Sequence, residues 1–216
     1  AFRQLHQRLE AEGLFSSAHK IPLPRFPQRI AFVTSPTGAA IRDFLNVVGR
    51  RWQGVQVLVI PARVQGDGAA AEIASGIARA NELAAPPDLI VVGRGGGSIE
   101  DLWCFNEEIV VRAIFKSQVP VMSAIGHEID ITLADLVADV RAPTPSAAAE
   151  LAVPDQTQLN EQLDQLRSRL QHSLHARLER MRQRLDAVEQ HWVLRRPFDW
   201  LGELAQRLDD LDQRST

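Results

Sequence analysis

One imidazole and three carboxylates, His127, Glu128, Asp130 and Asp135, fall within AIGHEIDITLAD, residues 124–135, directly behind the apolar run PVMSAIG. A histidine just past the end of a strand, with Asp130 three residues on to orient its ring, has the make-up of a general acid or base. A second constellation, DLIVVGRGGGSIEDLWCFNEE, runs an apolar segment straight into Gly93-Arg94-Gly95-Gly96-Gly97-Ser98. Consecutive glycines let backbone amides turn inward as an anion nest, and a guanidinium in the turn can clamp a phosphate through two donors. Ser98 is placed to cap the segment after it, with Asp101 three residues on. The run lacks the Lys-Ser/Thr of a nucleotide-hydrolysing phosphate loop and the glycine spacing of a dinucleotide site. In the third, FVTSPTGAAIRDFL, the hydroxyls of Thr34, Ser35 and Thr37 surround a Pro-Gly turn, and Asp43 sits about one and a half turns into the next helix.

Taken singly, each segment has a plainer reading. The glycine run can be a tight strand-to-helix turn without ligand, Asp43 an exposed helical carboxylate, and His127 an ordinary loop residue. Trp103 and Phe105 can stack on bases, or fill core beside a helix start. What joins the three is the set of elements that must carry them. RIAFVT (29–34), VQVLVI (55–60), DLIVVG (88–93) and PVMSAIG (120–126) are short β-branched runs that read as buried strands. Helix-compatible segments lie between them at 38–52, 68–85 and 106–117. The expected fold is therefore α/β, an open parallel sheet of about four to five strands with helices on both faces. Right-handed crossovers bring every strand's carboxyl end to one edge, where ligands of such sheets bind, and all three constellations belong to that edge.

From about Gln156 to Trp192 the texture changes. Leu159, Leu163, Leu166, Leu170, Leu174, Leu178, Met181, Leu185, Val188 and Trp192 recur mostly at three and four, with no Gly or Pro between. One helix of about 37 residues, some 55 Å long, is predicted, with a single apolar stripe that needs a partner and a stutter near Leu174 as in a coiled coil. Its basic residues, Arg167, Arg169, Arg177, Arg180, Arg182 and Arg184 among them, can track a phosphate backbone or solvate a coiled-coil face. Pro197 interrupts, and WLGELAQRLDDL resumes a helical pattern as though the chain turned back. The expected divisions are a connecting helix and linker over 1–28, an α/β catalytic domain over 29–153, and the coiled-coil helix with a returning helix over 154–216.

Composition narrows the class. With 45% hydrophobic and 24% charged residues the chain is an ordinary soluble globular type, and no apolar run reaches the roughly 18 residues of a membrane span. Its single Cys104 rules out an internal disulfide and a multi-thiolate metal site, and a cytoplasmic location is expected. Net charge is −3 overall, yet residues 30–155 carry −6 between mildly basic flanks. An acidic middle does not grip a polyanion by charge alone, so affinity for nucleic acid must come largely from elsewhere.

Three motifs in order, AEGLF with KIPLPRFPQRIAFVTSPTGAAIRDF, then DLIVVGRGGGSIEDLWCFNEE, then SAIGHEIDITLADLVADVRAPTPSAAAEL, resemble the large subunit of exodeoxyribonuclease VII over roughly residues 10–155. The resemblance implies a nuclease that degrades single-stranded DNA from both the 5′ and 3′ ends to short oligonucleotides. It implies a small helical subunit bound to the coiled-coil helix, and large subunits that associate with one another. It assigns catalysis to Asp43, Arg94, His127 and Asp130; the turns themselves offer Thr34, Ser35, Gly95, Gly96, Gly97 and Ser98 as the residues expected around the phosphate. No cofactor is certain: Asp43, His127 and Asp130 suffice to hold Mg²⁺ or Mn²⁺, while Arg94 and glycine amides can neutralise a phosphate with no ion. The family's amino-terminal oligonucleotide-binding domain is not in this sequence, so the chain alone is expected to bind DNA weakly and cut it poorly. Two other readings stand beside this one: a non-catalytic phosphate-binding scaffold that assembles through the helix, and an enzyme acting on a small phosphorylated metabolite.

Overall fold

The computed structural model describes residues 2–96, 100–126, 131–190 and 197–215. Five strands, β1 (Arg29–Thr34), β2 (Gln56–Pro61), β3 (Leu89–Gly93), β4 (Val121–Ala124) and β5 (Val140–Arg141), form one sheet in the order β2-β1-β3-β4-β5. All four pairings are parallel. The four predicted strands are present within a residue or two of their expected ends. The fifth is a two-residue strand, too short to leave any pattern in the sequence.

Alternation along the strands divides the core. Ala31, Val33, Ile90 and Val92 face α1 (Phe2–Ala11), α3 (Ala69–Asn81), α4 (Glu108–Phe115) and α5 (Leu133–Val137). Ile30, Phe32, Leu89, Val91 and Met122 face α2 (Ala39–Arg51) and α6 (Pro145–Ala152). Strands buried on both sides have no polar face, which is why they read as continuous apolar runs. The chain steps from β1 outward to β2 over one face and returns across the other to β3. The crevice beyond the carboxyl ends of β1 and β3 is thus the topological switch point.

Carboxylates fasten the opposite edge. Asp88 accepts from the amides of Gln28 (2.7 Å) and Arg29 (2.9 Å), and Asp139 from those of Ile21 and Val121, both at 2.6 Å. The segment before β1 is held further by α1, whose Leu9 is fully buried and whose Arg8 pairs with Glu108 of α4. Arg112 of α4 reaches Glu12 at 2.8 Å. The compact unit containing the sheet runs to Leu159.

Among the described residues the second unit, Asn160–Thr216, is helical. Helix α7 (Gln156–Glu189) is 34 residues long and α8 (Pro197–Arg214) is 18. Asp155 caps α7, accepting from the Thr157 amide at 2.9 Å. Leu163, Leu166, Leu170, Leu174, Leu178, Met181, Leu185 and Val188 are all exposed, an unburied stripe along the predicted helix. Trp192 lies outside the described residues.

Candidate active site

At the switch point, three strand ends open onto one pocket of about 560 Å³, lined by Ser35, Gly38 and Ala39 after β1, Arg63, Val64 and Gln65 after β2, and Arg94, Gly95 and Gly96 after β3. Register explains the meeting. Val33 pairs with Val92 and Thr34 with Pro61, so the residues just past each of these emerge side by side.

Arg94 is the dominant charge, with only 6% of its surface exposed. Its Nε donates to the Gly95 carbonyl at 2.9 Å and its Nη2 to the Gly96 carbonyl at 3.3 Å, while Nη2 lies 3.6 Å from Asp101 Oδ2. Nη1 is buried with no hydrogen-bond partner among the described residues. The guanidinium is thus folded against its own loop rather than extended as a free clamp. Gly95 borders the first turn of α2, where an added Cβ would stand at ordinary contact distance, 3.9 Å, from the Ala40 amide nitrogen.

Helix α2 begins at Gly38, which offers no side-chain cap, so its first amides keep their positive potential toward the pocket. Asp43 is exposed on α2, one turn beyond Ala39 and on the same helical face. Thr34 is buried at the end of β1, and Ser35 Oγ lies 3.4 Å from Thr37 Oγ1. Of the residues expected around the phosphate, the structure therefore brings Ser35, Arg94, Gly95 and Gly96 to one pocket. His127, Asp130, Gly97 and Ser98 lie outside the described residues. Among the described residues no group of three or more His, Cys, Asp or Glu side chains is placed to hold a metal ion. Of the candidate ligand set only Asp43 belongs to those residues.

The frame of the 127–130 segment is well defined on both sides. Asp135, 4% exposed, accepts from Ser123 Oγ of β4 at 2.5 Å and from the Thr132 amide and hydroxyl, both at 2.9 Å. Arg141 Nε stands 3.8 Å from it. Thr132 in return accepts from the Asp135 amide, closing a capping box on α5, and Asn106 Oδ1 accepts from the Leu133 amide at 2.8 Å. One carboxylate thus ties the strand before the segment to the helix after it. Asp135→Ala is expected to cost about 3 kcal/mol, because charge-assisted bonds to a buried carboxylate are lost and the Ser123 hydroxyl is orphaned. Denaturant unfolding measures this, and a loss below about 1 kcal/mol would mean that water replaces the carboxylate.

Two aromatics of the 3₁₀ stretch Glu100–Asn106 part company: Phe105 is fully buried, whereas Trp103 is half-exposed with its ring 6.4 Å from that of Phe2. Between them Cys104 is buried against the Val64 carbonyl, and burial pushes its thiol up to about 11. Sequence reasoning missed Arg63 and Gln65 altogether. They sit in PARVQGDG, which reads as a turn, and only the β1–β2 register reveals that it borders the pocket.

Comparison with known proteins identifies the family. The family described as Exonuclease VII, large subunit, matches residues 14–216. The exodeoxyribonuclease 7 large subunit of Geotalea uraniireducens (strain Rf4) is 55% identical over 214 residues, covering 99% of this chain and 47% of that protein. The proteins of the same name from Desulfitobacterium hafniense (strain Y51) and Geobacillus kaustophilus (strain HTA426) are 52% and 51% identical, again over 99% of this chain and over 52% and 48% of their own lengths. The chain spans about half the length of the curated relatives it matches. With a match that runs through both the sheet and the long helix, this chain belongs to the exonuclease VII large-subunit family.

Proposed function

We propose that this chain carries the phosphodiester-cleaving unit of a single-strand-specific exodeoxyribonuclease, which hydrolyses single-stranded DNA from both the 5′ and 3′ ends to short oligonucleotides. The observation that carries the reading is Arg94, a buried cation at the switch-point pocket, beside glycines and the uncapped start of α2. In a site of low dielectric such a charge, fixed before the reaction, stabilises negative charge developing on phosphate oxygens far better than one in water. In this reading Arg94 and the glycine amides face the scissile phosphate. His127 acts as general acid or base, oriented by Asp130, and Asp43 positions the attacking water. Mg²⁺ or Mn²⁺, if used, would be held by Asp43, His127 and Asp130 and would supply acidity to bound water.

The exposed stripe of α7 supports a protein partner, in keeping with relatives whose name makes them one subunit of two sizes. We assign that stripe to a small subunit, and expect large subunits to associate with one another. Among the described residues no helix is long and apolar enough to cross a membrane, and we place the enzyme in the cytoplasm.

The test is cleavage of an end-labelled single-stranded oligonucleotide by the full-length protein with its small subunit, first in excess chelator and then in Mg²⁺. His127→Ala is expected to lower the rate about a hundredfold or more in either condition. Activity that survives the chelator assigns the phosphate to Arg94 and the amides; activity only with Mg²⁺ makes Asp43, His127 and Asp130 ligands. No cleavage in either condition, or a fully active His127→Ala, overturns the proposal.

A further inference from the structure

Arg63 enters the pocket from the strand on the other side of β1 from Arg94. It is not a stray surface cation. Its Nε donates to Glu72 Oε1 at 2.5 Å, and its own amide donates to Glu72 Oε2 at 2.7 Å, so one carboxylate fixes both backbone and guanidinium. Those two bonds, the amide first, hold the Glu72 carboxyl below the usual carboxylate range, and the grip persists at neutral pH. Gly68, at φ +81°, makes room for the group: a Cβ there would come within 3.3 Å of Arg63 Nη2. With Nε occupied by Glu72, neither Nη1 nor Nη2 has a hydrogen-bond partner among the described residues. A guanidinium held by one edge with its amino groups open to a polar pocket is shaped to take an oxyanion.

Its distance from Arg94 decides which oxyanion. β2 and β3 flank β1, so their ends stand two strand spacings apart, about 10 Å. Two cations rising from strand ends that far apart and lining one pocket are spaced for adjacent phosphates of one strand rather than for a single group. We propose that Arg63, fixed by Glu72, binds the phosphate next to the scissile one and so sets the register of the strand in the pocket. This deepens the nuclease reading and rests on it for the identity of the ligand.

The test separates the two. Binding of deoxythymidine 3′,5′-bisphosphate and of deoxythymidine 5′-monophosphate to the full-length protein is measured by calorimetry, alongside cleavage. The intact protein is expected to prefer the bisphosphate about tenfold. Arg63→Ala removes that preference, and Arg63→Lys restores part of it. On a longer oligonucleotide, Arg63→Ala lowers the slope of log K against log salt by about 0.7, the signature of one lost phosphate contact on a single strand. The pair with Glu72 is exposed and contributes little to folding, so the variant remains a folded probe. A protein with no preference, or an Arg63→Ala that keeps it, overturns the inference even if cleavage is normal. A preference that depends on Arg63 in a protein that cuts no DNA even with its small subunit upholds this subsite and sinks the nuclease reading.

Discussion

Arg94→Ala is expected to slow cleavage of single-stranded DNA about a thousandfold or more, with KM little changed. The size follows from where the charge sits. At 6% exposure the guanidinium works in surroundings that screen it poorly, and the loop holds it through the Gly95 and Gly96 carbonyls before substrate arrives. Arg94→Lys should recover little, because an ammonium on a flexible stem cannot span both carbonyls and still present a donor to phosphate. The cost to folding should be small, about 1 kcal/mol, since Gly96 is exposed and its carbonyl can be hydrated once the guanidinium is gone. Single-turnover cleavage and thermal unfolding of the same preparations separate these effects. A rate within tenfold of the intact protein would remove Arg94 from the chemistry.

Gly93→Ala should be the most damaging single substitution for the fold around the site. The residue is fully enclosed at the end of β3, and its backbone needs no unusual conformation; what it lacks is space. A Cβ there would lie 2.7 Å from the Ala124 carbonyl oxygen, 3.0 Å from Ala124 Cβ and 3.0 Å from Phe32 Cε2. That oxygen cannot retreat freely, because it accepts the amide of Arg94 at 3.2 Å, and Phe32 is locked against Phe44 at 4.9 Å between centroids. Relief means separating β3 from β4, at about 3 kcal/mol or more. Denaturant titration should show the loss, and cleavage should fall with it, since the same shift displaces Arg94. A variant of undiminished stability would mean that the two strand ends are not in contact in solution.

How legible the molecule is from its sequence depends on the length scale. β1, β3 and β4 are readable because strands covered on both faces have only apolar residues to choose from, and β2, half-exposed at the sheet edge, because it keeps the apolar run VLVI. β5 is not, because two residues carry no period, and its place is set by Asp139 bonding Val121 and by the Ala142 amide bonding Ser123. The glycine loop and Arg94 are visible because glycine runs after a strand have few uses. Arg63 is invisible for the converse reason: an arginine in a polar turn is commonplace, and only the pairing of β2 beside β1 gives it a role. Asp135 is the instructive case. It stands among the carboxylates of HEIDITLAD as one more candidate for chemistry, and its neighbours Ser123 and Thr132 instead make it the fastening of that segment.

The buried Cys104 has a practical consequence. A thiol with its pKa at about 11 is thiolate in only about one molecule in ten thousand at pH 7, and its sulfur is enclosed besides. Since it is the only cysteine among these 216 residues, this chain is nearly silent to maleimides and mild oxidants. In this chain a single reporter cysteine placed at Gln65 would therefore take a fluorophore or spin label alone, and would register occupation of the pocket as it happens.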